Sequence, residues 1–277
     1  MRYYHHKKKY LGVVAAFNIE ILAIGNELCY GKVADSNSFW LADQLTQAGG
    51  LVTKITCIRD SEQQICQVLK EIIEREVDFL IITGGLGPTN DDKTLDSISK
   101  LTKLETIPDE NALEKISKRK NIPKSELPKN YVKMARKLSG AETIDNPVGI
   151  CPTIIVQLQK TTLIAMPGPP NEVKATFKNH ILKIIENSSG RRSQSTRVIV
   201  RMVESEIAPI IEDIEKNIDN VYLKPLVSEY DQEKGIPIEI ISFEKNDMEC
   251  WKLIEKTKIL LHEAVEQKGR KLNTSNK

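Results

Sequence analysis

The 277-residue chain carries 40 Lys and Arg against 38 Asp and Glu, a net charge of +2, and is 40% hydrophobic. That length and apolar content suffice for two domains with buried cores, and the near balance of charge excludes the strong positive field of a dedicated nucleic-acid binder. Five cysteines, an odd number with no C-x-x-C spacing, argue against a disulfide framework and a structural zinc site and point to a reducing cytoplasm.

At the start, Lys7-Lys8-Lys9 before the apolar run Leu11 to Phe17 imitates a signal peptide, but Asn18 and Glu20 interrupt it. Residues 1–17, with His5 and His6, read as an extension of no assigned role, and no membrane association is expected. Strand and helix signals then alternate. Strands over Ile19–Ile24, Leu51–Ile58 and Phe79–Ile82 are separated by two helices. The first is capped by Ser36 and ends at Gly49-Gly50; the second is opened by an S-x-x-Q capping box at Ser61 and Gln64. A third helix starts near Thr94, and residues 109–139 form a helical insert rich in Lys and Arg. Thr153–Leu158 and Thr161–Met166, split only by Gln159-Lys160, read as a hairpin, and Pro167 to Pro170 turns the chain into a helix from Asn171 to Ile185. This order predicts an α/β domain over residues 18–186, a doubly wound, mostly parallel sheet with helices on both faces that binds ligands beyond the carboxyl ends of its strands. Residues 187–195 read as a linker, 196–267 as a small α+β domain of β-α-β-β-α order, and 268–277 as a tail.

The segment Thr83-Gly84-Gly85-Leu86-Gly87-Pro88-Thr89-Asn90-Asp91-Asp92 joins a buried strand to a helix. Glycines let a ligand approach the backbone, and a helix N-terminus favours an anion by ~0.3–1 kcal/mol. Asp91 and Asp92 would repel a phosphate unless a divalent cation lies between them, which points to metal-assisted phosphate chemistry. In a doubly wound sheet, Glu27, Asp35 and Asn37 after the first strand, Asp60 after the second and Asp91-Asp92 after the third would face one pocket. Read locally, Asp60 is equally an N-cap beside Ser61 and Asp91 a cap of the following helix.

Four segments in order carry a family resemblance: Ile24-Gly25-Asn26-Glu27-Leu28 with Gly31 and Asp35-Ser36-Asn37, the glycine loop, Asn146-Pro147-Val148-Gly149, and Met166-Pro167-Gly168-Pro169-Pro170-Asn171-Glu172. They resemble the molybdopterin-binding (MoaB/Mog) fold, most closely its CinA branch. Glu204 to Pro209 and Val221 to Lys224 resemble the KH-like domain that follows in CinA proteins. The resemblance implies that Asp92, Asp60 and Asp91 are catalytic and hold a divalent cation (Mg, Mn or Co). It implies substrate contacts from Asn26, Glu27, Asp35, Asn37, Gly84, Gly85, Gly87, Thr89, Lys133, Asn146, Gly149, Gly168 and Glu172, with Lys133 reaching a phosphate. The activity it implies is hydrolysis of ADP-ribose or a related nucleoside diphosphate sugar to AMP and ribose 5-phosphate by a homodimer.

Two other readings stand beside it: adenylylation of molybdopterin, or non-catalytic nucleotide or molybdopterin binding. Mog proteins carry a threonine where Leu86 stands and a basic residue where Asp91 stands, and this departure weighs against adenylylation. The nicotinamide mononucleotide deamidase domain of bacterial members has no room before Lys277, so that activity is not assigned. The KH-like segment lacks a G-x-x-G loop and balances its charges, so nucleic acid is not an expected partner.

Overall fold

The structure, a computed structural model, describes residues 17–270 and 272–273; the extension before Phe17 and the end of the tail lie outside the described residues. One compact unit comprises residues 17–46 and 50–187, and another carries the chain from residue 188 on.

In chain order the first unit runs β1 (Asn18–Ile24), α1 (Asn26–Cys29), α2 (Ser36–Gln47), β2 (Leu51–Ile58), α3 (Glu62–Glu74), β3 (Phe79–Thr83) and α4 (Thr94–Thr102). It continues through β4 (Thr106–Pro108), α5 (Glu110–Lys120), α6 (Lys129–Met134), β5 (Arg136–Leu138), β6 (Glu142–Ile144), β7 (Thr153–Leu158) and β8 (Thr161–Met166). It closes with α7 (Pro170–Thr176) and α8 (Leu182–Ser189), joined by a π-helical turn at Phe177–Ile181.

Six strands form one sheet in the order β2-β1-β3-β8-β7-β6. β2, β1, β3 and β8 are mutually parallel, and β7 and β6 add antiparallel pairs at one edge. Strands covered on both faces need apolar residues at successive positions, and β1 and β3 have them: Ile19, Ile21, Leu22, Ala23, Leu80, Ile81 and Ile82 are fully buried. The one charge in that run, Glu20, is satisfied by a two-pronged ion pair with Arg75 at 2.7 and 2.8 Å. On one face Ile65, Leu69 and Ile72 of α3, spaced three or four apart, pack with Leu22, Leu80 and Leu163 in a continuous core.

Three local expectations are corrected. Asp35, not Ser36, caps α2, its Oδ1 accepting from Ser38 N at 3.0 Å. The Ser61–Gln64 capping box does not form; the Ser61 side chain makes no cap bond, and Asp60 turns away from α3 toward α1. The basic insert is two helices flanked by a three-residue antiparallel pair, β4 with β5, too short to leave an alternating pattern in sequence.

The second unit comprises β9 (Arg192–Val200), α9 (Glu204–Asn217), β10 (Val221–Pro225), β11 (Ile236–Glu244), α10 (Asp247–Gln267) and β12 (Leu272–Asn273). Its antiparallel sheet has the order β10-β11-β9-β12, and Val198, Val200, Ile207, Ile211, Ile238, Ile240, Ile254 and Leu261 form its core. The expected linker is shorter than its composition suggested. Arg192 to Ser195, polar in sequence, pair with Glu244 to Ile241 and extend β9, because backbone pairing to a long neighbour asks nothing of side-chain polarity. No described helix is long and apolar enough to cross a membrane.

Candidate functional site

β1, β3 and β8 end side by side, and at their carboxyl ends lies a cleft of about 470 Å³. Its floor is the turn after β3. Gly84 and Gly85 both have positive φ, +94° and +68°, and a Cβ on either would come within 2.1 Å of Ile24 O or Thr94 Oγ1. Only glycine permits this double turn. It is tied down by Gly84 N to Met166 O (3.1 Å), Thr94 Oγ1 to Gly84 O (2.9 Å) and Thr94 N to Gly85 O (3.1 Å). The next N–H groups, of Gly85, Leu86 and Gly87, meet no acceptor among the described residues. Consecutive free amides in such a turn are what an anion can use.

The walls carry six carboxylates, from Glu27, Asp35, Asp60, Asp91, Asp92 and Glu172, and no Lys, Arg or His is among the lining residues. Their partners differ. Asp60 Oδ2 accepts from Asn26 N at 2.7 Å. Burial pushes the Asp60 carboxyl above its ordinary range; the Asn26 bond opposes this, and the charges of Glu27, Asp91 and Asp92 reinforce it. All four carboxylates line the same cleft. Asp92 Oδ2 accepts from Thr89 N (2.8 Å) and Thr89 Oγ1 (2.7 Å), closing the loop on itself. Asp91 also approaches the Thr89 hydroxyl, which holds its carboxyl below the usual range, with Lys133 and Lys93 contributing.

The sequence-predicted residues therefore divide. Glu27, Asp35, Asn37, Asp60, Gly84, Gly85, Gly87, Asp91, Asp92, Gly168 and Glu172 line the cleft. Asn26 and Thr89 do not, and act through the bonds just given. Lys133, expected to reach a phosphate, does not line the cleft; its ammonium donates to the carbonyls of Thr89 and Asp92 and holds the loop. Asn146 and Gly149 are buried behind the wall. Asn146 Nδ2 donates to Glu172 Oε2 (2.6 Å) and Cys151 O (3.0 Å), while its Oδ1 accepts from Gly149 N (2.7 Å) and Val148 N (3.2 Å). Asn37 Nδ2 donates to Gly168 O at 2.7 Å, which leaves its Oδ1 buried without a partner.

Among the described residues no three His, Cys, Asp or Glu side chains converge to cage a metal, so the expected triad of Asp60, Asp91 and Asp92 is not assembled. One or two carboxylates sharing a cation with a bound phosphate fit this donor set, since Mg²⁺ is commonly held that way. Sequence reading missed Cys151, whose thiol lines the cleft, donates to Leu86 O at 3.2 Å and is pushed up to about 12 by burial. Its only signal was its place two residues after Gly149.

Residues 20–187 match the family described as a probable molybdopterin binding domain. A protein of Pyrobaculum aerophilum is 35% identical over 206 residues, covering 74% of this chain and 77% of its own. A CinA-like protein of Thermosipho melanesiensis is 39% identical over 166 residues, 60% of this chain and 41% of the relative. The crystal structure of the protein CinA, of unknown function, from Thermoplasma acidophilum superposes with a TM-score of 0.57 at 30% identity, covering 61% of this chain and 98% of that one. A strand-end cleft floored by a double-glycine turn, the match over residues 20–187 and these relatives agree: the chain belongs to the molybdopterin-binding domain family, in its CinA-like branch.

Proposed function

We propose that the cleft binds a phosphate-bearing heterocycle of the molybdopterin class, or its nucleotide adduct, together with a divalent cation. The observation that carries this reading is the charge of the lining: free amides of a glycine turn offer an anion cradle, yet six carboxylates and no cationic side chain surround it. A phosphate enters such a site only with a positive partner that the chain itself does not supply. Asp60 and Asp92 would hold that cation, Asp60 because burial and then its acidic neighbours make its own charge costly, and Asp92 because it sits over Gly87. When bound, a divalent cation neutralises phosphate charge and polarises the phosphorus for transfer. The chain's own contributions are to orient the phosphate on the amides of Gly85 to Gly87, to fix Asp92 through Thr89, and to present the unpaired Asn37 Oδ1 from the wall.

Within this reading the reaction is adenylyl transfer to a pterin phosphate, which the family match favours although Leu86 and Asp91 stand where Mog proteins carry a threonine and a basic residue. Cleavage of ADP-ribose, which the CinA resemblance implies, draws no support of its own from the cleft and is an outcome of the same experiment. That experiment is equilibrium binding of a pterin phosphate, ATP and ADP-ribose in Mg²⁺ or EDTA, with product analysis for AMP, on the parent protein and on Asp92→Asn. Mg²⁺-dependent pterin phosphate binding, weakened at least ~10-fold in the variant, is expected. Binding indifferent to both cation and variant refutes the shared-cation site, and AMP release from ADP-ribose alone moves the assignment to hydrolysis.

A further inference from the structure

We propose that Cys29 and Cys57 form a two-thiolate binding site for a thiophilic divalent cation such as Zn²⁺. Cys29 is the last residue of α1 and Cys57 lies in β2; both are exposed, and their sulfurs are 3.8 Å apart. Two sulfurs each about 2.3 Å from a tetrahedral zinc stand about 3.8 Å from one another, so the pair is spaced as an edge of that tetrahedron without movement of either side chain.

Both sulfurs are exposed and already adjacent, so a cation can reach the pair from solvent. Binding is balanced without an oxidant: the cation displaces one proton from each thiol, two S–H bonds break, two metal–sulfur bonds form, and two protons go to solvent.

With only two protein ligands the cation keeps positions for water, unlike a closed structural zinc site. The site has a structural consequence. α1 carries Glu27 and Leu28 of the cleft wall, so a bound cation ties that wall to β2. The remaining cysteines, Cys66 half-buried and Cys151 and Cys250 buried, are internal controls.

The test is titration of the full chain with Cd²⁺, following ultraviolet thiolate-to-metal charge-transfer absorption and proton release together, with Zn²⁺ as competitor. Absorption saturating at one Cd²⁺ per chain, two protons released, displacement by Zn²⁺, and loss of the band in Cys29→Ser and in Cys57→Ser but not in Cys66→Ser are expected. On the parent protein, Zn²⁺ should block iodoacetamide labelling of Cys29 and Cys57 as read by peptide mass spectrometry, a measurement that decides the matter even where a variant fails to fold. A band that survives the Cys29→Ser/Cys57→Ser double variant, or labelling of both cysteines unaltered by Zn²⁺, overturns the proposal.

Discussion

Replacing Asn146 tests how the cleft wall is held. Its amide serves four partners and is fully buried: Glu172 Oε2, Cys151 O, Gly149 N and Val148 N. In Asn146→Ala the buried N–H of Gly149 and carbonyl of Cys151 lose these bonds; each such orphan costs about 1–3 kcal/mol, so the variant should lose about 2–6 kcal/mol of stability. Asn146→Asp is the sharper probe. It keeps an oxygen to accept from Gly149 and Val148 but sets a second carboxylate where an amide donated to Glu172 at 2.6 Å. Two carboxylates that close share a proton, which raises the upper pKa of the pair in the folded protein. A raised folded pKa contributes stability at low pH that is lost as pH rises through it, so Asn146→Asp should be worse than Asn146→Ala at neutral pH and should recover as pH falls. Urea unfolding read by Trp40 measures this, because Trp40 packs edge-on against Phe177 with ring centroids 5.5 Å apart, in the same unit as Asn146. A Trp251→Phe background silences the other unit's indole. An alanine variant within ~0.5 kcal/mol of the parent, or an aspartate variant that does not gain on acidification, would refute this account of the wall.

Two further outcomes follow from the charges around the glycine turn. Asp60 has a folded pKa raised chiefly by burial, so its contribution is present below the ordinary carboxylate range and is lost as pH rises through the raised value. Asp60→Asn, which still accepts from Asn26 N, should therefore raise Tm at neutral pH in EDTA and shrink the Tm gain on adding Mg²⁺; calorimetry showing a lower Tm in EDTA would count against a strained carboxylate there. Lys133→Met removes the ammonium that holds Thr89 O and Asp92 O, and phosphate-ligand affinity should fall by roughly 1–2 kcal/mol once exposure is allowed for. Amide exchange over residues 89–92 should quicken in the same variant. Lost affinity with unchanged exchange would mean that Lys133 touches the phosphate directly.

What could be read from the sequence follows from how locally each feature is determined. β1 and β3 announced themselves because strands buried on both faces must be apolar at successive positions, and Gly84-Gly85 because the turn they make excludes any Cβ. Five of the six carboxylates of the cleft could be placed together from topology alone, since strands that end side by side gather whatever follows them; Glu172 came only through the family resemblance. Partners were another matter. Lys133 lies 41 residues from Asp92, and nothing in its neighbourhood says that its ammonium is spent on backbone carbonyls rather than left for a ligand. Asn146 and Glu172 were both expected as substrate contacts, yet that one is buried to hold the other depends on a contact across 26 residues. The same limit made β9 look like a linker, because the strand partner that recruits Arg192 to Ser195 lies some fifty residues onward. Composition marks which residues can do chemistry; which of them remain free to do it is decided by hydrogen bonds between segments distant in sequence, and here those bonds leave Asp60, the free edge of Asp92 and the amides after Gly84 as the groups available to a ligand.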